Sequence, residues 1–326
     1  MSVVGIINHR ADRENRELIL HAENCGFSSV ISALSGVRQR SWRDGSAASF
    51  PERPSGLTRE PGQFDAAVHR LEPYFGGGGH LDAVLDLEVA VVEESAEWRK
   101  SYRLDPNGQV EIQNVNGKID VQPSDGNAVE IVAIKKAKAA SPEAAKAALD
   151  RITIQEDAVS PSHVKITTKY PAGGGLFNHS NLQVEYRVKV PATAEVRFET
   201  VNGGIELTGL AGRIKAETTN GGVNGRNLAG SVDARTTNGG LDIDLARIAE
   251  GGVKLESVNG GIKVRVPRDA KATISARVTN GGIDASELPL EASGDNTRRR
   301  FDARLNGGGP RIEIEGTNGG IQLSGR

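Results

Sequence analysis

Two aspartates, Asp242 and Asp244, stand two residues apart in the run LDIDL and so share one face of a strand. Glu206 and Lys263 fall at related positions of neighbouring repeats. Acids and bases spaced along one face of a stacked β structure are what a polysaccharide-acting β-helix enzyme would use for general acid–base work. Against that reading, these side chains simply alternate with apolar ones, as any solvated strand face does. No histidine lies within the repeats to serve as the commonest general base. The sequence therefore points away from an enzyme. His163 and His179 flank a glycine loop, Gly173 to Gly175, but no third ligand stands at a fixed spacing, so no metal is expected. Calcium-binding repeats place an aspartate after their glycines, where this chain has Ile, Val or Leu. Gly76 to Gly79 and Gly173 to Gly175 lack the GK[ST] ending and the strand-to-helix setting of a phosphate loop, so no cofactor is expected either. Arg298, Arg299 and Arg300 form a basic run that an anionic polymer would meet. A charged run in a loop is ordinarily just solvated, which leaves these three as weak binding candidates.

The residues with the most regular spacing are amides. Asn202, Asn220, Asn238, Asn259, Asn280 and Asn318 each open a near-identical NGG phrase, and Asn116 opens an imperfect first copy, NGK. The spacings from Asn202 onward are 18, 18, 21, 21 and 38 residues. Repetition at a fixed period is the signature of a stacked repeat architecture. Within one unit, Ile214, Ala216 and Thr218 share a strand face, and the inward phase is reset at Val223 after the Asn-Gly pair. Asn and Gly suit a sharp corner because both tolerate positive φ, and the second glycine is expected to allow close approach of the next layer.

Two architectures fit this pattern. In a β-solenoid each unit is a full coil, equivalent asparagines stack about 4.8 Å apart and their amides form a ladder. In an antiparallel meander the Asn-Gly pairs are type I′ hairpins. Only the solenoid requires the columns Val201, Thr219, Thr237, Val258, Thr279 and Thr200, Thr218, Thr236, Ser257, Val278 to be so alike. The left-handed hexapeptide helix needs an aliphatic residue every six positions, which TTNGGVNGRNLAGS does not supply. The expected fold is therefore all-β, a right-handed single-stranded β-solenoid with one short helix. It should stack about six to eight coils, and the extra residues ARIAEGG and VPRDAKA should be corner loops. The asparagines at these repeat corners are expected to be structural, satisfying one another rather than a ligand.

Composition agrees. The 326 residues contain 40 glycines and only 4% aromatics, so the core must be thin and built from Ile, Val, Leu and Ala. A net charge of −2 gives no pull towards nucleic acid. The single cysteine, Cys25, excludes an internal disulfide framework. No stretch reaches the roughly 20 apolar residues of a membrane helix, and the opening MSVVGIINHRADRENRE does not have the pattern of a secretory signal.

Along the chain, residues 1–95 carry no NGG unit and are expected to be a poorly ordered N-terminal extension. Val37 to Gln63 have loop composition, and Leu81 to Val92 suit either helix or strand. The repeat domain spans 96–326. In it, Ser141-Pro142-Glu143 supplies three helix-start signals before AAKAALDRI, with Ala144, Ala147, Ala148 and Ile152 near one face. That helix is expected to cover one end or flank of the β body.

EWRKSYRLDPNGQVEIQNVNGKIDVQ, SPEAAKAALDRI, VEYRVKVPATAEV and the NGG string to LNGGGPRIEI and TNGGIQL resemble the bacterial putative-adhesin family of β-strand-repeat proteins, a domain of unknown function. The resemblance covers about Glu97 to Arg326. It implies a right-handed β-helix-like fold and an envelope or adhesive role, and it brings no catalytic residues. Members commonly carry an N-terminal signal or anchor, a pattern residues 1–95 do not follow. The expected function is a non-enzymatic surface scaffold. It would bind a polysaccharide or an envelope protein, or self-associate through its solenoid ends.

Overall fold

The computed structural model describes residues 3–8, 66–75, 81–89, 91–171, 182–285, 287–293 and 296–326. Contacts divide the chain into two compact units, Met1–Val92 with Ala139–Pro142, and Glu93–Lys138 with Glu143–Arg326. In the first, strands β1 (Val3–Asn8), β2 (Ala66–Phe75) and β3 (Leu81–Val89) form an antiparallel sheet in the order β1-β3-β2. The Leu81 segment is thus a strand. Cys25 and the segment Val37 to Gln63 lie outside the described residues, as does His179.

The second unit opens with β4 (Val92–Arg103), β5 (Gln109–Gln113), β6 (Ile119–Pro123) and β7 (Ala128–Ala139). Helix α1 (Pro142–Asp150) follows, then β8 (Thr153–Ser160), β9 (His163–Lys169) and β10 (Leu182–Val190). The repeats supply β11 (Glu195–Asn202), β12 (Ile205–Thr208), β13 (Ile214–Asn220), β14 (Val223–Leu228), β15 (Val232–Asn238) and β16 (Leu241–Leu245). They continue as β17 (Val253–Asn259), β18 (Ile262–Val266), β19 (Ala272–Asn280) and β20 (Ile283–Asp284). The chain closes with β21 (Leu290–Ala292), β22 (Arg300–Leu305), β23 (Arg311–Asn318) and β24 (Ile321–Gly325).

Two large sheets result. One has the order β20-β24-β18-β16-β14-β12-β6-β10-β7-β4, the other β21-β22-β19-β23-β17-β15-β13-β11-β5-β9-β8. Each repeat gives one strand to each sheet, and equivalent strands pair in parallel and in register, with one irregularity between Gly225 and Leu228 of β14. Ile214 faces Val232, Thr218 faces Thr236 and Asn220 faces Asn238. Parallel pairing excludes the hairpin meander, whose neighbouring strands would run in opposite directions. The loops Ala246–Gly252 and Pro267–Lys271 leave the strands where the longer units were expected to spill out.

The order of the layers is not the order of the sequence. The paired strands β9/β10, β5/β6, β11/β12, β13/β14, β15/β16, β17/β18, β23/β24 and β19/β20 make eight successive layers. The earliest layer, β5/β6, therefore lies inside β9/β10, and the last, β23/β24, is inserted between β17/β18 and β19/β20. Antiparallel strands close both ends of one sheet and one end of the other, whose far end is the two-residue strand β20. β7 runs against β10, β8 against β9 and β22 against β19. A terminal repeat left at the end of a stack would expose a full parallel edge; this arrangement covers three of the four edges and leaves only the two residues of β20 at the fourth.

The core is the single layer between the sheets. Alternation buries Val196, Phe198 and Thr200 of β11 and Ile205 and Leu207 of β12, and the same positions recur in each repeat. Phe198 is fully buried and stacks on Ala216 and then Ala234, a large side chain answered by two small ones. Helix α1 buries Ala145 and Leu149, one helical turn apart, with Ile152 just beyond. The buried stripe is thus shifted from the expected one: Ala144 and Ala147 are exposed and Ala148 is half-buried, because leucine, the largest apolar residue of the helix, sets which face turns in. No helix among the described residues is long and apolar enough to cross a membrane.

Candidate functional site

Every repeat turns from one sheet to the other at its NGG corner, and the corners stack. Asn202 donates from Nδ2 to Asn116 Oδ1 at 2.7 Å, Asn220 to Asn202 at 2.8 Å, Asn238 to Asn220 at 2.9 Å and Asn259 to Asn238 at 2.9 Å. Asn318 then donates to Asn259 at 2.8 Å, and Asn280 to Asn318 at 2.9 Å. All seven asparagines singled out in the sequence thus form one ladder, with Asn318 ahead of Asn280. The first member, Asn116, donates to the Leu182 carbonyl at 3.3 Å.

The roles of the corner residues differ in two respects from those the sequence suggested. Among the described residues the asparagines with positive φ are Asn107, Asn227 and Asn306, none of them in the ladder; six ladder asparagines end strands instead, and Asn116 forms an isolated bridge to Asn202. The close approach belongs to the first glycine, not the second. A Cβ on Gly221 would lie 2.1 Å from the Gly203 carbonyl oxygen, and one on Gly239 2.0 Å from that of Gly221. A Cβ on Gly204, the second glycine of its corner, would meet Gly222 O at an ordinary 3.4 Å.

Beside the ladder runs a buried hydroxyl column. Thr218 donates to the Gly203 carbonyl and Thr236 to that of Gly221, both at 2.8 Å, and Ser257 to that of Gly239 at 3.1 Å. These hydroxyls close the corner and are not offered to solvent. In the two layers whose order is exchanged the column changes composition. Val278 and Gly316 stand where β11, β13, β15 and β17 have Thr or Ser, and a Cβ on Gly316 would meet Val278 Cγ2 at 3.4 Å. That large–small exchange is a trace in the sequence of the inserted layer.

Outside the hydroxyls lies an exposed column, Val201, Thr219, Thr237, Val258, Thr317 and Thr279, flanked by half-buried or exposed charges Glu199, Glu217, Arg235, Glu256, Glu315 and Arg277. Together they floor a groove of about 1380 Å³ running the length of the stack. Tyr170 and Lys169 stand at one end and Arg299 and Arg300 at the other. The Tyr170 hydroxyl donates to the Asn116 carbonyl at 3.0 Å, and burial holds its pKa well above the usual phenol range. Tyr186, hydrogen-bonded to Thr168, is pushed up to about 12 by burial, so both phenols stay neutral. The groove's acids are shared with cations. Glu199 holds the Arg197 guanidinium above its ordinary pKa through a hydrogen bond; Asp233, outside the groove, does the same for Arg235, which also pairs with the groove's Glu256 at 3.5 Å. One surface signal in the sequence, the Thr/Val column, could have located this groove; the depth of the groove could not be read.

The candidate acids lie elsewhere, on the outer face of the other sheet. Asp242 pairs with Arg265, Asp244 with Arg326 at 3.4 Å, and Glu206 with Lys118 at 2.7 Å. Asp242 and Glu206 are engaged in half-exposed ion pairs, whereas Asp244 Oδ1 is itself buried beside Arg326. His163 Nε2 stands 3.7 Å from Glu111 Oε2. Among the described residues no three ligating side chains converge as a metal site. Of the basic run, Arg300 pairs with Asp302 at 2.9 Å and Arg298 lies over Gly282.

No curated protein matches the chain. Among solved structures, a "putative cell adhesion protein" from Clostridium sporogenes ATCC 15579 is 14% identical with a TM-score of 0.44, covering 71% of this chain and 100% of its own. A "putative adhesin" from Bacteroides fragilis NCTC 9343 is 12% identical with a TM-score of 0.35, covering 71% and 97%. A "putative lipid binding protein" from Parabacteroides distasonis ATCC 8503 is 8% identical with a TM-score of 0.20, covering 72% and 94%. Likeness this distant says nothing about ligands. The sequence model described as Toastrack DUF4097 is different, because it matches residues 100–324, well over half the chain and every NGG corner. The chain belongs to the Toastrack DUF4097 family, the putative-adhesin family of unknown function that its repeats resemble.

Proposed function

We propose that the repeat domain is a non-enzymatic, adhesin-like binding scaffold of the cell envelope, and that its groove holds an extended polysaccharide along the stack. The observation that carries this reading is the groove's periodicity. Six of the eight layers present the same small Thr or Val and a charge beside it, once per strand spacing of about 4.8 Å, and the β5 and β9 layers carry Gln113 and Thr167 in place of the charge. A regular polymer meets such a surface unit by unit, whereas a small substrate has no single place to sit. Mixed charge along the groove favours a neutral or weakly charged polymer over nucleic acid, whose backbone calls for a continuous basic surface. Arg299 and Arg300 would make the end contact, with Arg298 beside them. An envelope protein strand is the other partner of suitable form. The right-handed rule for parallel crossovers favours a right-handed coil. Residues 1–95 stand in this reading as an extension separate from the binding domain, and the ladder asparagines as structural corners.

The test is binding of soluble polysaccharides to the full chain, followed with Thr219→Arg and Thr237→Arg, which fill the middle of the groove from exposed positions. Loss of at least about tenfold in affinity supports the groove, since one blocked anchor position is worth about 1.4 kcal/mol or more. Unchanged binding in both variants places the ligand elsewhere. Assays for new reducing ends should find no turnover, and Asp242→Asn or Asp244→Asn should leave binding as it was. Turnover lost in those variants would establish the enzyme reading instead.

A further inference from the structure

The chain contains ten Asn-Gly pairs, the dipeptide in which a backbone nitrogen reaches the preceding side-chain carbonyl carbon with the least hindrance, because glycine has no Cβ. Nine of them are restrained. In each ladder corner but one, the glycine N–H donates to the asparagine carbonyl of the next layer, as Gly221 does to Asn238 at 2.9 Å and Gly319 to Asn280 at 3.0 Å. In those same corners the asparagine Oδ1 accepts the amide of its neighbour. Outside the ladder, Gly108 N–H donates to Asp105 O at 2.9 Å, and Gly225 is paired on both sides within β14. Asn306 has its amide held by the carbonyls of Arg268 and Ala270, both at 2.8 Å.

Asn280 is the exception because the ladder ends there. Among the described residues its Oδ1 receives no donor and the Gly281 N–H reaches no acceptor. The flanking N–H groups are taken: Val278 donates to the Arg299 carbonyl at 2.9 Å and Ile283 to that of Arg298 at 3.0 Å. The segment that closes this end of the stack thus bonds on either side of Asn280-Gly281 and leaves that pair open. A cation stands next to it, since a Cβ on Gly282 would lie 3.3 Å from Arg298 Nε.

We propose that Asn280 is a modification site, at which spontaneous deamidation converts the open end of the amide ladder into a carboxylate. The Gly281 nitrogen gives up its proton to hydroxide and attacks Asn280 Cγ. The Cγ–Nδ2 bond breaks, Nδ2 leaves as ammonia with a proton from water, and a five-membered succinimide remains. Water then opens either carbonyl of the ring to give aspartate or isoaspartate at position 280. No oxidant or reductant takes part. The new negative charge forms beside Arg298, which favours the ionised product, and it changes the charge at the end of the groove where the basic run lies.

The experiment uses the unmodified full chain, aged in alkaline buffer in the folded state and, in parallel, in denaturant. Digests are followed by mass spectrometry for the amide-to-acid mass change, with electron-based fragmentation to separate isoaspartate from aspartate. In the folded chain, conversion at Asn280 should run on the order of tenfold faster than at any interior ladder asparagine, the protection given by a single net hydrogen bond or a little more. In denaturant that advantage should vanish. Conversion of an interior corner, Asn107 or Asn306 as fast as Asn280 would overturn the proposal. So would an unchanged Asn280 under conditions where the unfolded chain deamidates.

Discussion

At the scale of single residues, the corners make sharp demands that differ between neighbours identical in type. Gly221→Ala pushes a methyl group into the Gly203 carbonyl, whereas Gly204→Ala makes only ordinary contact. Chemical denaturation should find the first destabilising by about 3 kcal/mol and the second by less than about 1 kcal/mol. Equal effects would mean that the layers adjust freely. Gly316→Thr would restore the residue found elsewhere in its column, but its Cβ already touches Val278 Cγ2 at 3.4 Å, so the hydroxyl and methyl beyond it crowd Val278, and a loss of about 1–3 kcal/mol is expected. Adding Val278→Thr should recover much of that loss in a double-mutant cycle, because the two side chains share one space. The sequence made the asparagine column legible through identity alone, since seven amides in register can bond one another. It concealed which glycine was indispensable, because both are the same letter and only the distance to the neighbouring carbonyl separates them.

At the scale of elements, strands and helix were legible and their contacts less so. Alternation at Ile214, Ala216 and Thr218 and the reset at Val223 matched the buried positions, since a strand with one buried face has no other way to place its apolar residues. The face of α1 was misplaced because four alanines offer little to distinguish one side from another, and Leu149 decides it. The junction of β19 with β22 carries an acid-sensitive contact. Ser275 donates to Asp302 at 2.7 Å and Arg300 at 2.9 Å, and the two together hold the Asp302 carboxyl below its ordinary pKa. A carboxyl depressed in the folded state adds stability above its ordinary value of 3.8 and loses that addition as pH falls through the lower folded value. Asp302→Asn should therefore lower the midpoint near neutrality and leave it unchanged at the acid end, which flattens the acid side of the unfolding profile, measured as midpoint against pH. The effect will be small, because this contact is largely open to solvent.

At the scale of the repeat domain, layer count and parallel stacking could be read from the period, but layer order could not. Column identity says that Asn318 belongs to the ladder and is silent on its place in it. The 38-residue gap before it holds β21 and β22, which close the end, and the chain then returns to fill the place between Asn259 and Asn280. Truncation after Gly309 removes β23 and β24 and should strip order from β19 to β22 as well, since β19 then loses its parallel partner. Hydrogen exchange should show that whole segment losing protection while β11 to β16 keep theirs. The inserted layers also decide how such a molecule can grow. A tandem copy appended after Arg326 has no edge to extend, because β24 already lies between β18 and β20. Lengthening must come from within, by duplication of an 18-residue unit such as Ile214 to Ser231, whose two ends meet equivalent partners on both sides. A chain carrying that duplication should fold with one more layer and a longer groove, whereas one carrying the same unit at its C-terminus should leave it unfolded.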